Sequence, residues 1–397
     1  MKNFKSALVL FTVLLLIICT FSGCSAPSQE YIKGLERREK YINYLKETYA
    51  DYVEVPYGLD ITKKTDLVGI CYSTWFTEIL RGRKEDPPNV TNILAGYEEW
   101  GRPFQYYWWA EPALGYYKSD DKQIIRTHMS QIAEMGADYI IIDNTNTSLS
   151  WKDSDTAWDN YITKPCTALL DTICEMRAEG KKTPYVVFWN AANDTKKWSV
   201  VNAIYEEFHM QEKWKDCFVY WEGKPFMLVT NIPSGEPKYD LTIRRQWGLQ
   251  NNPDLNQWTF LNIDNPAVYD KNGFIEQTCV CAAAQESYMS LPTAHGRNHG
   301  IFMYHQWANA FDYRPKAITI TWWNEWCAIM RTDNDGNRLL TDNYNIEYSR
   351  DIEPMKGGHG DQYYQWTKTY IRAYKNLEKC PVLVESGYRY DAINSRY

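Results

Sequence analysis

The chain has 397 residues, of which 44% are apolar and 23% charged, a composition that excludes disordered and fibrous proteins. Its 50 acidic residues outnumber 43 basic ones, and the net charge of −7 argues against a nucleic-acid partner, which needs a basic surface. Aromatic residues reach 15%, including 17 Trp and 31 Tyr. These side chains pack in cores and also stack on sugar faces, so the surplus alone leaves both uses open.

The first residues have the order of a bacterial export signal. Two lysines precede an apolar run over 7–21, which is too short for a comfortable membrane span. Phe21-Ser22-Gly23-Cys24 is similar to a lipobox, in which the cysteine is lipidated after cleavage. We expect a lipoprotein signal peptide over 1–23 and an exported protein held in the cell envelope or at the cell surface by a lipid on Cys24. The alternative is an ordinary cleaved signal in which Cys24 has no role.

A tether and a helix are predicted over 24–66, between the signal and the main domain. Leu35, Ile42, Leu45 and Tyr49 recur near helical spacing within a charged stretch over 31–50. We expect this helix to act as a spacer that leans on the main domain.

From residue 67 onward, short β-like runs alternate with helical patterns, which is typical of βα units around a parallel sheet. The predicted strands are 68–76, 139–142, 185–188, 226–230, 258–263 and 317–322. The predicted helices are 121–136, 155–179, 198–210, 275–289 and 362–376. In the first of these helices Ser119 and Asp120 are the cap candidates and Gly136 takes the C-cap position. The alternation predicts one (β/α)₈ TIM barrel with long loops over 67–397.

Polar and indole side chains follow the predicted strands where each strand ends. Asp143-Asn144, Trp189-Asn190, Asp264 and Trp322-Trp323-Asn324-Glu325 occupy these positions. The carboxyl ends of parallel barrel strands meet on one rim, where active sites lie. Carboxylates, amides and indoles together suit a sugar. Strands also stop at turn-forming Asn and Asp, but four such ends favour a glycan-binding rim over chance.

The histidines and cysteines give weaker signals. His295-Gly296-Arg297-Asn298-His299 has two histidines four residues apart, but its glycines indicate a loop in which Arg297 contacts substrate hydroxyls. His128 lies among apolar helix neighbours and is predicted to be a satisfied core histidine. We expect neither a metal nor a cofactor. The cysteines outside the export signal show no disulfide framework, and buried free thiols are expected.

Three motifs resemble segments of a known family: a Gly-Tyr-Tyr segment at 115–117, an Asn-Glu-Trp segment at 324–326 and an Ile-Glu-Pro segment at 352–354. The family is glycoside hydrolase family 99, with its neighbour, family 71. The segment Trp109-Ala110-Glu111-Pro112-Ala113-Leu114-Gly115-Tyr116-Tyr117, with the helix that follows it, is similar to their opening. Trp323-Asn324-Glu325-Trp326 looks like their Asn-Glu-Trp motif on strand eight, and Asp351-Ile352-Glu353-Pro354 looks like their Ile-Glu-Pro segment. The resemblance spans about 68–375. It implies a (β/α)₈ barrel that cleaves α-linked glycans such as mannosides. The implied cleavage is within the glycan chain and retains the configuration of the sugar.

The resemblance also implies two neighbouring carboxyl groups with different roles. One assists the sugar's own 2-hydroxyl in displacing the leaving group, and the other protonates the leaving oxygen and later activates water. Glu325 matches the first carboxyl group, but the position of the second is Ala328, which cannot transfer a proton. A longer segment over 329–350 also separates the last two motifs. The candidate substitute acids are Glu347, Asp351, Glu353 and Glu111.

The leading hypothesis is therefore an endo-acting glycoside hydrolase on a lipoprotein, with Glu325 as a catalytic carboxylate and Glu353 and Glu347 among its possible partners. The predicted sugar-binding residues are Glu111, Asp143, Asn144, Trp189, Asn190, Asp264, Arg297, Trp322, Trp323 and Asn324. The alternative is a non-catalytic glycan-binding lipoprotein on the same barrel, which Ala328 favours. A third hypothesis, a glycosyltransferase-like role, needs a nucleotide or lipid-phosphate donor site that the sequence does not indicate.

Overall fold

The computed structural model describes residues 28–77, 90–101, 106–153, 157–248, 257–285, 294–332, 336, 338–340 and 345–386. The predicted signal peptide and Cys24 lie outside these residues. The predicted spacer is helix α1 (Gln29–Thr48), whose N-cap Ser28 accepts a hydrogen bond from the backbone N–H of Tyr31 at 3.2 Å. Within the described ranges, no helix is long and apolar enough to cross a bilayer.

The strands are numbered in chain order. They are β1 (Leu59–Asp60), β2 (Leu67–Tyr72), β3 (Tyr106–Trp108), β4 (Tyr139–Asn144), β5 (Tyr185–Asn190), β6 (Val219–Trp221), β7 (Lys224–Val229), β8 (Thr242–Gln246), β9 (Gln257–Trp258), β10 (Val268–Tyr269), β11 (Ile275–Cys281), β12 (Ala284–Gln285), β13 (Ala294–His295), β14 (Ala317–Thr321), β15 (Cys327–Thr332) and β16 (Arg338–Leu340).

The remaining helices surround these strands. They are α2 (Val90–Leu94), α3 (Lys122–Met135), α4 (Ser150–Asp153), α5 (Lys164–Ala178), α6 (Ser199–Ile204), α7 (Ile301–Tyr313) and α8 (Gln362–Lys375). Single π turns cover Asp159–Thr163 and Tyr205–His209, and 3₁₀ turns cover Glu212–Cys217 and Asn298–Gly300.

Eight strands form the parallel sheet that the sequence predicts. Their order is β9-β8-β7-β5-β4-β2-β14-β11, and every neighbouring pair is parallel. Among the described residues no backbone ladder joins the two outer strands. The Gln277 side chain links them instead, because it accepts from the backbone N–H of Thr259 at 3.0 Å and donates to its carbonyl at 2.7 Å. The architecture is a (β/α)₈-type barrel with one seam that is not closed by strand pairing.

Side chains alternate between the two faces of these strands. Cys71, Ile141 and Val187 belong to one buried cluster inside the barrel. Ile70 and Ile140, one position earlier, pack against the surrounding helices in a separate cluster. Because successive side chains of a strand point to opposite faces, this alternation decides which strand-end residues face the barrel interior.

The structure corrects several predicted elements. Residues 275–289, predicted as a helix, begin with strand β11, which is buried along its whole length. A strand buried on both faces loses its alternating pattern and resembles a buried helix. The predicted strand 258–263 is reduced to β9, and the polar strand β8 was missed. Helix α3 is capped by Asp121, not by Ser119 or Asp120, since the Asp121 carboxylate accepts from the backbone N–H groups of Gln123 and Ile124.

Helix α1 covers the end of the barrel where the strands begin. Arg38 pairs with Asp66, one residue before β2, at 2.6 Å. The Tyr41 ring stacks on Phe274, one residue before β11, with centroids 4.6 Å apart. Tyr49 donates to Glu222 in the turn between β6 and β7. A cavity of about 560 Å³ lies between these tyrosines and the strand starts. We call this end the base and the opposite end, where the strands finish, the mouth.

Candidate active site

The segment after β14 is fixed to the end of β2 at the mouth. The Asn324 side chain accepts from the backbone N–H of Ser73 at 2.8 Å and donates to its carbonyl at 3.1 Å. The indole N–H of Trp322 donates to the Ser73 hydroxyl at 2.8 Å. These three hydrogen bonds hold both sides of the segment, so the position of the next residue, Glu325, is determined by the barrel.

Glu325 is 3% exposed and pairs with Arg350. The Arg350 guanidinium donates to Oε2 of Glu325 and to the side-chain oxygen of Gln285 at 2.9 Å. An adjacent guanidinium favours the charged form of a carboxylate. The backbone N–H of Glu325 donates to the Asp351 carboxylate. Glu325 is therefore held between Arg350 and Asp351, two neighbours from one segment.

Asp143 lies at the same mouth as Glu325. It is 5% exposed and continues the inward-facing set of β4, and its Oδ1 accepts from the backbone N–H of Thr145 at 2.8 Å. Burial raises the pKa of the Cys71 thiol inside the barrel well above its ordinary value, and the charges of Asp143 and Glu325 add to that rise. Both carboxylates are therefore close enough to Cys71 to raise the pKa of its thiol, so they lie over the same part of the barrel interior.

Three aromatic rings pack together beside these acids. Trp189 lies edge-on to Phe260 with centroids 4.7 Å apart, and Trp322 lies 6.2 Å from Trp189 and 5.9 Å from Phe260. Phe260 is the most exposed of the three, at 8%. The rings predicted to stack on sugar therefore stack mainly on one another, and Phe260 carries the accessible edge.

Several other predicted sugar-binding residues lie away from this cluster. Asn144 and Asn190 follow Asp143 and Trp189 by one position and so share the face that packs on helices, where the Asn190 amide contacts the Met227 sulfur at 3.7 Å. Trp323 packs on the rings of His128 and Tyr364 in the same outer layer. These three residues do not join Glu325, and their sugar-binding roles stay predictions.

Asp264, Glu111 and Arg297 occupy three further environments. Asp264 is exposed. Glu111 pairs with Lys356 near the rim. Arg297 is buried and donates to the Ile346 carbonyl at 3.0 Å, and to the Ser349 hydroxyl and the Asp351 carbonyl at 2.8 Å each. Arg297 thus positions the segment that carries Arg350 and Asp351.

The candidate substitute acids differ in their surroundings. Asp351 is fully buried, and burial raises its pKa to about 7, against the opposing hydrogen bonds from the Trp109 indole and the Glu325 backbone. Glu353 is buried and is held by Tyr117 at 2.7 Å, by Trp326 at 2.5 Å and by His128 at 2.9 Å. Glu347 is exposed and accepts from the Asn298 backbone at 2.8 Å. Asp351 is the candidate that contacts the Glu325 residue itself.

His128 and His299 have polar side-chain partners. His128, predicted to be a satisfied core residue, bonds Tyr72 through Nδ1 and Glu353 through Nε2, at 2.9 Å each. His299 bonds Glu385 at 2.7 Å. In the part of the chain that the structure describes, no three His, Cys, Asp or Glu side chains cluster as metal ligands.

Comparison with known proteins identifies the architecture. No protein-family model matches the sequence, and no curated protein matches it. Among solved structures, the GH99 endo-alpha-mannosidase from Bacteroides thetaiotaomicron matches with a TM-score of 0.50 and 14% identity, over 79% of this chain and 98% of that chain. The same enzyme in complex with Bis-Tris propane gives the same values. The chain has a family 99-like fold. At this identity the likeness establishes the fold alone.

Within this family 99-like fold, sequence reasoning missed three residues of the mouth. Arg350 binds Glu325, Gln285 accepts a hydrogen bond from Arg350, and Phe260 completes the aromatic cluster. A charged residue directly before Asp351-Ile352-Glu353-Pro354 was the available signal for Arg350. No comparable signal marks Gln285, because its approach to Arg350 depends on where β12 lies relative to the segment that carries Arg350.

Proposed function

We propose that the chain is a glycoside hydrolase-like lipoprotein that binds an α-linked glycan at the barrel mouth and cleaves it internally with retention of configuration. The observation that carries this proposal is the grouping of Glu325, Arg350, Asp351 and Asp143 at the mouth of a family 99-like barrel. Active sites of such barrels lie where the strands end.

Each acid has a role in this proposal. Glu325, kept charged by Arg350, accepts the proton of the sugar 2-hydroxyl as that oxygen displaces the leaving group. Asp351, whose pKa is raised to about 7 by burial, gives a proton to the leaving oxygen and then takes one from water. Because the Trp109 indole donates to Asp351 at 2.6 Å, that indole must move when the glycan binds.

A direct test uses purified protein lacking residues 1–24 and a panel of α-linked polysaccharides. We expect the wild type to release oligosaccharides, and Glu325→Gln and Asp351→Asn each to reduce release at least about 100-fold, as is typical when a general acid or base is lost. Proton NMR of the new reducing end, recorded before mutarotation, reports retention. The matched control is Glu347→Gln, which removes an exposed carboxylate from the same segment and should leave release unchanged. Activity that depends on Glu347 and not on Asp351 would reassign the acid.

A second candidate, glycan binding without cleavage, is favoured by two specific observations. Ala328 stands where the resemblance places the second carboxylate, and Glu325 is enclosed by its contacts with Arg350. On this hypothesis calorimetric titration shows binding by the wild type, with no release from any polysaccharide in the panel. Glu325→Gln then alters affinity alone.

We also propose that a lipid on Cys24 holds the base toward the membrane and leaves the mouth open to solvent. The start of α1 supports this orientation, since Tyr31 donates to the Leu377 carbonyl just after α8, and Lys375 at the end of α8 pairs with Asp138 just before β4. The test is incorporation of labelled fatty acid, which Cys24→Ala should abolish. Labelling that persists in this variant would exclude the anchor at Cys24.

A further inference from the structure

Two cysteines from different elements meet on the flank of the barrel, away from the mouth. Cys174 lies in α5, and Cys217 ends the 3₁₀ turn Glu212–Cys217. Their sulfur atoms are 3.4 Å apart, and both are free thiols. Closing a disulfide, whose sulfurs are about 2.05 Å apart, therefore needs a displacement of little more than 1 Å.

The two thiols differ in a way that suits oxidation. Cys174 is partly exposed, whereas Cys217 is buried. The hydrogen bond with Cys217 and the charges of Arg177 and Lys213 lower the pKa of Cys174 to about 7, and the pKa of Cys217 is raised by the same hydrogen bond and by burial. Since the thiolate is the reactive form, an oxidant meets a nucleophile at Cys174 and a second thiol directly behind it.

We propose that Cys174 and Cys217 form a disulfide when the chain is exposed to a disulfide oxidant, such as a thiol–disulfide oxidoreductase or oxidised glutathione. The Cys174 thiolate attacks one sulfur of the oxidant, forms a mixed disulfide and releases the other half as a thiol. Cys217 then loses its proton and attacks the Cys174 sulfur, which releases the second half. The protein loses two protons and two electrons in total, and the oxidant takes them up to become two thiols.

This bond would tie α5 to the chain that leads into β6. It would enclose residues 175–216, which include β5 and α6, and so restrict the unfolded chain. The two cysteines of β11 are arranged differently, because Cys279 and Cys281 lie two positions apart on one face of the same strand, inside the barrel. The inference does not depend on glycan binding or cleavage, because neither sulfur touches the mouth residues.

The test uses the full chain, expressed with its own signal and purified from cells that are solubilised in mild detergent. Free thiols are alkylated before digestion, and mass spectrometry then searches for a peptide pair joined through residues 174 and 217. We expect that pair, with a mass two hydrogens below the sum of its peptides. A reductant should lower the thermal midpoint by several degrees, consistent with the loss of a crosslink over a loop of this length.

Variants separate the crosslink from general destabilisation. Cys174→Ser/Cys217→Ser should unfold near the midpoint of the reduced wild type and should no longer respond to reductant. Cys380→Ser, at another partly buried thiol, should keep the joined peptides and the response. Both thiols recovered alkylated from the purified protein, and still alkylated after treatment with oxidised glutathione, would overturn the proposal. Recovery of Cys174 joined only to glutathione would overturn it too.

Discussion

The two ends of the barrel each bury a glutamate–arginine pair, but the surroundings differ. At the base, Arg244 binds both oxygens of Glu276, at 2.7 and 2.9 Å, and the Trp258 indole donates to the same carboxylate at 2.6 Å. At the mouth, Arg350 is divided between Glu325 and Gln285, and a second acid with a raised pKa adjoins the pair. The base pair is held by the Trp258 indole and faces the cavity beneath α1, whereas the mouth pair adjoins a second acid. Residue type alone does not distinguish the two.

Breaking the pair at the base should give the largest loss of stability. Glu276→Gln leaves the Arg244 charge without its buried partner, and removing one member of a buried pair costs about 3–5 kcal/mol. Urea denaturation measures the loss. The control is Glu54→Gln, which removes the carboxylate of an exposed pair with Lys64. Because exposed ion pairs contribute little, we expect this variant to lose about 1 kcal/mol of unfolding free energy or less. Equal effects at the two sites would mean that the base pair contributes no more than a surface pair.

At the mouth, Asp351 should make the stability of the fold depend on pH. Burial raises the pKa of Asp351 from 3.8 to about 7, so between these values the folded chain holds a proton that the unfolded chain has lost. Stability then falls as pH rises through this window, by as much as about 1.4 kcal/mol per pH unit.

Asp351→Asn should remove that slope when unfolding free energies are measured at pH 5 and pH 7. The exposed Asp264 supplies the control, and Asp264→Asn should retain the wild-type slope. A slope that survives in Asp351→Asn would assign the titration to another group and would remove the support for Asp351 as the acid.

The hydrogen bonds beneath the mouth predict a moderate effect. Tyr117 donates to Glu353 at 2.7 Å and accepts from Asn324 at 3.2 Å, so Tyr117→Phe leaves a buried donor and a buried carboxylate each short of one partner. We expect a loss of about 1–3 kcal/mol in unfolding free energy. Tyr239→Phe, which removes an exposed hydroxyl from Glu206, should leave the unfolding midpoint unchanged. If the protein releases oligosaccharides from a glycan, release should fall in Tyr117→Phe and not in Tyr239→Phe. The reason is that Tyr117 binds Asn324, the residue directly before Glu325.

Local patterns in the sequence predicted part of the barrel and of its mouth, and long-range contacts decided the rest. Strands β4 and β5 were found because each is a short apolar run, and the (β/α)₈ fold follows from the alternation of such runs with helical patterns. Asp143-Asn144 and Trp189-Asn190, which end these two strands, then indicated the site. Strand β11 was misassigned because burial on both faces removes the period-two pattern. The sequence predicted both residues at the end of β4 and of β5 as sugar-binding residues. Successive side chains point to opposite faces of a strand, so only Asp143 and Trp189 face the barrel interior, and the sequence does not show which residue of each pair does so. The contact between Arg350 and Glu325 joins positions 25 residues apart through a loop closure that no local pattern encodes.

The smallest predicted effect tests whether α1 is part of the base or an appended spacer. Ser28→Ala removes the cap that accepts from the Tyr31 backbone, at a cost of about 0.5–2 kcal/mol to the helix. If α1 folds with the barrel, this loss appears in global unfolding. If α1 opens separately, it appears as faster amide hydrogen exchange in the first turns of α1 while the exchange of β4 is unchanged. Ser28→Asp, which preserves the acceptor, is the control. The Arg38–Asp66 pair and the Tyr41–Phe274 stack favour the first outcome, since both connect α1 to residues that start barrel strands.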